Sequence, residues 1–126
     1  MSREPRTVTL VTEDHGRITL PEPSWCAGHA DHRPDSARID VMHVGSAVDL
    51  TFLGIEVFTA ELVASPYAST TTPRLGGRTP GVSVHPLGMT LDPADLYSLA
   101  GALDSYADRL RNLADQLTAI LTEEHR

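Results

Sequence analysis

Residues 92–124 read DPADLYSLAGALDSYADRLRNLADQLTAILTEE, and this stretch decides the fold. Asp92 is a strong N-cap, Pro93 suits the first helical position, and Asp95 puts an acid near the positive end of the helix dipole. No further proline follows up to Glu124. The pattern predicts one helix over 92–124, roughly 50 Å long at about 1.5 Å per residue.

Within it Leu96, Leu99, Leu103, Tyr106, Leu110, Leu113, Leu117 and Ile120 recur at alternating spacings of three and four, filling the a and d positions of four heptads. The e positions hold Ala100, Ala107, Ala114 and Leu121, so mostly small residues flank the seam and would let a second helix come close. Such a face has two destinations: the protein's own sheet, or the same helix in a second copy. A sheet of short strands, roughly 20 Å across, covers only part of so long a helix. We therefore expect a homodimer paired through these eight residues, in either direction, with Tyr106 needing a hydrogen-bond partner for its hydroxyl. A further protein partner fits the same face.

Working outward, residues 7–91 are β-rich. Val8, Leu10, Ile18 and Leu20 alternate with polar residues around Glu13-Asp14-His15-Gly16, which predicts a hairpin over 7–20. Pro21 and Pro23 end it. A polar loop from Cys26 to Ser36 leads to three β-rich runs, Arg38 to Val44, Ala47 to Leu53 and Ile55 to Ala64. Gly45-Ser46 reads as a tight hairpin between the first two, and Gly54 as a bulge inside a continuous strand. Residues 65–80, with the run Ser69-Thr70-Thr71-Thr72 and Gly76-Gly77, read as a mobile loop, and Gly81 to Leu87 as a last strand. The expectation is a single α+β domain over 1–126, a curled antiparallel sheet of five or six strands with one long C-terminal helix.

Composition narrows the function. The chain has 126 residues, 40% hydrophobic and 21% charged, enough for one core and without a run that could cross a bilayer. A net charge of −7 repels phosphate backbones, and carboxylates outnumber arginines along the helix, so neither nucleic acid nor membrane is an expected partner. Every basic residue is arginine, which fits a GC-rich genome. The phosphate-loop pattern is missing, and with it the lysine it needs. One cysteine excludes an internal disulfide, and no signal-peptide pattern opens the chain, so a cytoplasmic protein is expected.

That cysteine sits in Trp25-Cys26-Ala27-Gly28-His29-Ala30-Asp31-His32, with His43 eleven residues further on. Thiolate and imidazole are zinc's preferred ligands, and a loop joined to a strand can bring them to one tetrahedral centre. Cys26, His29, His32 and His43 are the candidate metal ligands, with Asp31 as a possible addition and zinc as the expected ion. The plainer reading makes Cys26 a buried small hydrophobe beside Trp25, His43 a satisfied core histidine, and His29 and His32 solvated loop residues. A thiol nucleophile at Cys26 lacks a recognisable motif or oxyanion hole.

Pro23-Ser24-Trp25-Cys26, the following His29 or His32, His43 with Gly45, and the closing Leu91-Asp92-Pro93 give the chain a resemblance, over most of its length, to a family of small actinobacterial proteins of unknown function. The family pattern implies a Trp-Cys segment with a nearby histidine, a further histidine on a strand, and a C-terminal helix rich in Leu and Ala. It also implies a second cysteine shortly before the Trp-Cys pair, where this chain has Glu22, Pro23 and Ser24. No reaction comes with the resemblance. The reading at this level is a non-enzymatic binding or regulatory module that homodimerises through its helix, with a structural zinc site as a separate option. The alternative is a zinc-dependent or thiol enzyme centred on Cys26.

Overall fold

The computed structural model describes residues 6–70, 77–86 and 92–124. Among the described residues it is α+β: six strands, two sheets and one long C-terminal helix. The chain divides into two compact units, Met1–Ser46 with Leu62–Gly81, and Ala47–Glu61 with Val82–Arg126.

The first unit begins with the expected hairpin. β1 (Thr7–Thr12) and β2 (Gly16–Pro21) pair antiparallel from Thr7↔Pro21 to Thr12↔Gly16. Their inward residues Leu10 and Leu20 close on Val41, with Val8, Ile18 and Tyr67 at the margin. Sequence reasoning expected a strand over Arg38 to Val44, but Arg38–Asp40 form a 3-10 turn and only His43–Val44 (β3) are strand. The reason is long-range. The Arg38 amide donates to the Asp14 carboxylate in the hairpin turn, 2.9 Å away, and this cap draws the segment out of extended geometry.

β3 pairs with the far end of a long strand, His43 opposite Ala64 and Val44 opposite Val63. Gly45-Ser46 is therefore not a hairpin; the Gly45 amide instead donates to the Leu62 carbonyl at 2.8 Å. The loop expected over 65–80 is tied at its base by the Ser65 amide donating to the Gly77 carbonyl, 2.9 Å, and by Arg78 Nε donating to the Ala68 carbonyl, 3.0 Å. Its centre, 71–76, lies outside the described residues.

In the second unit β4 (Val48–Phe52) pairs with β5 (Ile55–Ala64), Phe52 opposite Ile55. The two residues between them, Leu53 and Gly54, have φ of 52° and 74°, the paired positive values of a type I′ turn. Gly54 thus marks a hairpin and not a bulge. The bulge lies deeper, where the register steps between Leu50↔Phe58 and Thr51↔Glu56 and leaves Val57 as the extra residue. β6 (Gly81–His85) also pairs with β5.

The helix α1 spans Pro93–Glu124, and its start is capped by the Asp92 carboxylate, which accepts from the Asp95 amide at 2.8 Å. It packs on β4. Leu99, Tyr106 and Leu113, successive d positions, are buried. The Tyr106 hydroxyl finds the partner its position requires, donating to the Val48 carbonyl at 3.1 Å, and its ring stacks on Phe58 with centroids 6.0 Å apart. Arg109 donates to the Asp49 carbonyl one turn further on.

Candidate metal centre

Each side chain of the centre is placed by a local backbone device in the first unit. Glu22 follows β2 directly, and its amide donates to the Arg6 carbonyl at 2.8 Å, which extends the hairpin by one rung. The chain then turns, with the Cys26 amide on the Pro23 carbonyl at 3.1 Å, and returns to β3, with the Ala27 amide on the Val44 carbonyl at 2.9 Å. Gly45 permits this return. A Cβ there would lie 3.2 Å from both the Trp25 carbonyl oxygen and the Leu62 Cβ, so a side chain would push the loop off the strand. His43 is supplied by β3 itself.

The result is a convergence of four donors. One oxygen of Glu22, the Cys26 Sγ and one ring nitrogen each from His29 and His43 lie within 4.8 Å of one another. Glu22 Oε1 is 3.0 Å from His29 Nε2 and 2.9 Å from His43 Nδ1, and His29 Nε2 is 3.6 Å from the thiol. The side chains of Glu22, His29 and His43 are 6%, 9% and 5% exposed. Trp25 closes one side, its ring edge-on to His43 at 6.3 Å. His43 Nδ1, although close to Glu22, has no aligned hydrogen bond among the described residues.

Electrostatics prepare the group for a cation. Burial pushes the Glu22 carboxyl up, but hydrogen bonds from His29 and Cys26 and the nearby imidazoles outweigh it, so it stays below its ordinary value. Burial lowers His43, against the opposing pull of Glu22, and so keeps a ring lone pair available. Burial raises the Cys26 thiol, with Glu22 adding to the rise and the backbone at Gly28 and Val44 opposing it. A divalent ion that displaced the thiol proton would meet one carboxylate and one thiolate, a pair whose charges cancel its own. Such neutrality is what burial demands. The residues present could hold a metal ion.

Three of the four residues singled out from sequence, Cys26, His29 and His43, come together; His32 does not. Its Nε2 donates to the Val11 carbonyl of β1 at 2.7 Å, which holds the ring on the hairpin. Asp31 is exposed and also outside the group. Glu22 takes the fourth place. A charged residue between two prolines reads as a solvated loop position, so Glu22 is not among the ligands expected from sequence. Cys26 is buried, as the plainer reading has it, but with a polar neighbour in His29, and His29 is not a solvated loop residue. His29 also lines a cavity of about 370 Å³ formed by residues 27–32 with Val44 and Gly45, and Glu22, Cys26 and His43 do not reach it.

With the geometry established, comparison with known proteins gives one match. A domain of unknown function, DUF6907, aligns with residues 7–119. The chain belongs to this family. The DUF6907 match takes in all four residues of the centre and most of α1. No curated protein and no solved structure matches the chain significantly. Among the described residues, no helix is long and apolar enough to cross a membrane.

Proposed function

We propose that this DUF6907 protein is a non-enzymatic binding module whose first unit is locked by one structural zinc ion held by Glu22, Cys26, His29 and His43. The observation that carries the reading is the convergence of four donors within 4.8 Å, three of them on buried residues, beside a His43 Nδ1 that has no aligned hydrogen bond among the described residues. Mixed sulfur, nitrogen and oxygen ligation suits zinc, whose filled d shell imposes no geometry and which takes four protein ligands where it serves structure. The ion would join the chain after β2 to β3, two segments otherwise tied by few backbone bonds.

Four protein ligands leave no coordination position for water or substrate. The Cys26 thiol, moreover, is shifted up, opposite to what an activated nucleophile needs. Both points favour the structural role over a zinc-dependent or thiol enzyme. A lone thiolate ligand persists in a reducing compartment, and we assign the protein to the cytoplasm on that ground. The second unit supplies the binding surface, α1, which recruits a second copy of the chain; exposed Leu96 and Leu103 support this.

The test of the metal reading is native mass spectrometry of chain purified from zinc-supplemented cells. One zinc per chain is expected, lost in Cys26→Ser. A chain that takes up no zinc, and that shows no thiolate-to-metal absorption when given Co²⁺, overturns it.

A further inference from the structure

The d positions of α1 are consumed inside the second unit, where Leu99, Tyr106 and Leu113 are buried. Its a positions are not. Leu96 is 53% exposed and Leu103 37%, while Leu110 and Leu117 are half-buried. Next round the helix come the e positions, Ala100 and Ala114 exposed, Ala107 and Leu121 half-buried. Leucine and alanine therefore alternate along one accessible edge, shifted away from the face that meets β4.

We propose that this a/e edge is the seam of an antiparallel homodimer whose two-fold axis passes between Asp108 and Arg109. The inference rests on the reading that α1 recruits a second copy, and it is independent of the metal centre. Two observations fix the direction. The first is size. Antiparallel about that axis, Leu103 faces Ala114 of a second copy, Leu110 faces Ala107, and Leu117 faces Ala100, so each alanine leaves the space a leucine needs, and only the outermost layer sets Leu96 against Leu121. Parallel pairing opposes leucine to leucine and alanine to alanine, and close packing disfavours such alternating crowded and empty layers.

The second observation is charge. The b positions bordering this edge include Asp104 and Arg111, both exposed. In the antiparallel seam Asp104 meets Arg111 of a second copy, twice by symmetry, with an axial offset of about 3 Å at 1.5 Å per residue. A parallel seam sets like against like. Arg111 already bonds Asp108 in its own helix at 2.8 Å, but the contact is exposed and the guanidinium has donors to spare for a second carboxylate.

Sedimentation equilibrium of the full chain tests both levels. Dimer is expected, with Asp104→Arg and Arg111→Asp each raising the dissociation constant about ten-fold, as two exposed attractive pairs turn repulsive. The double variant Asp104→Arg/Arg111→Asp should restore it. Asp115→Arg, the same change of net charge as Asp104→Arg but away from the seam, should leave the wild-type dissociation constant unaltered. Monomeric wild-type chain at about 100 μM overturns the pairing of α1 altogether. A dimer indifferent to both single substitutions overturns only the antiparallel seam.

Discussion

His43 Nδ1 lies 2.9 Å from Glu22 Oε1, both side chains almost fully buried, yet the nitrogen has no aligned hydrogen bond among the described residues. With Cys26 and His29 beside them, these two groups are donors that the proposed zinc ion would take up. Glu22→Ala should then cost most of the zinc, whereas His32→Ala, which removes only the contact with the Val11 carbonyl, should leave one zinc per chain. Metal analysis of the two variants side by side checks this. Equal zinc loss in both would return the ligand set to the one spacing suggested.

The hairpin turn carries a pH-dependent cap. The Arg38 amide, and after it His15, hold the Asp14 carboxyl below its ordinary value of 3.8. A folded-state value below the unfolded one contributes stability above pH 3.8, lost as pH falls through the folded value. Urea titrations of the wild type and Asp14→Ala should differ near neutrality, and the gap should narrow on acidification below pH 3.8. A gap that widens in acid would contradict the cap.

Removing one oxygen from α1 tests how the helix is held on β4. Tyr106→Phe keeps the ring on Phe58 and leaves the Val48 carbonyl without this donor, at a cost of about 1 kcal/mol. Chemical denaturation measures it. An unchanged midpoint would mean that water replaces the hydroxyl at no cost.

Leu53 is the one described non-glycine residue with positive φ, at 52°, and it is 65% exposed. A left-handed backbone costs a leucine roughly 1 kcal/mol, and asparagine adopts it readily. Leu53→Asn should raise the melting temperature. A fall would show that the exposed leucine makes a contact worth more than the relief of strain.

What sequence made legible follows a physical divide. The hairpin over β1 and β2 and the span of α1 depend on neighbours a few residues apart, so alternation, caps and heptads sufficed. Gly54 was located but misread, because a glycine within an apolar run serves a bulge or a turn equally well, and only the positive φ of Leu53 separates them. The turn at Arg38 owes its shape to Asp14, twenty-four residues away. The expected single sheet is two sheets because β1 and β2 pair only with each other, while β3, β4 and β6 all pair with β5. At the candidate metal centre residue type singled out Cys26, His29 and His43, but the path of the loop, invisible to spacing, brought Glu22 to the group and left His32 outside it.

The boundary between the two units falls inside β5, between Glu61 and Leu62. Each unit is thus assembled from two separate stretches of chain, and birth order matters. As the polypeptide leaves the ribosome, Glu22, Cys26 and His29 emerge early, but the strand that pairs with His43 is finished only at Ala64. An ion captured before then would sit on an open loop. On the proposed metal reading, the nascent chain would have to keep a lone thiol reduced and unclaimed for some forty residues of synthesis, a window in which oxidation or a competing metal would do the most harm.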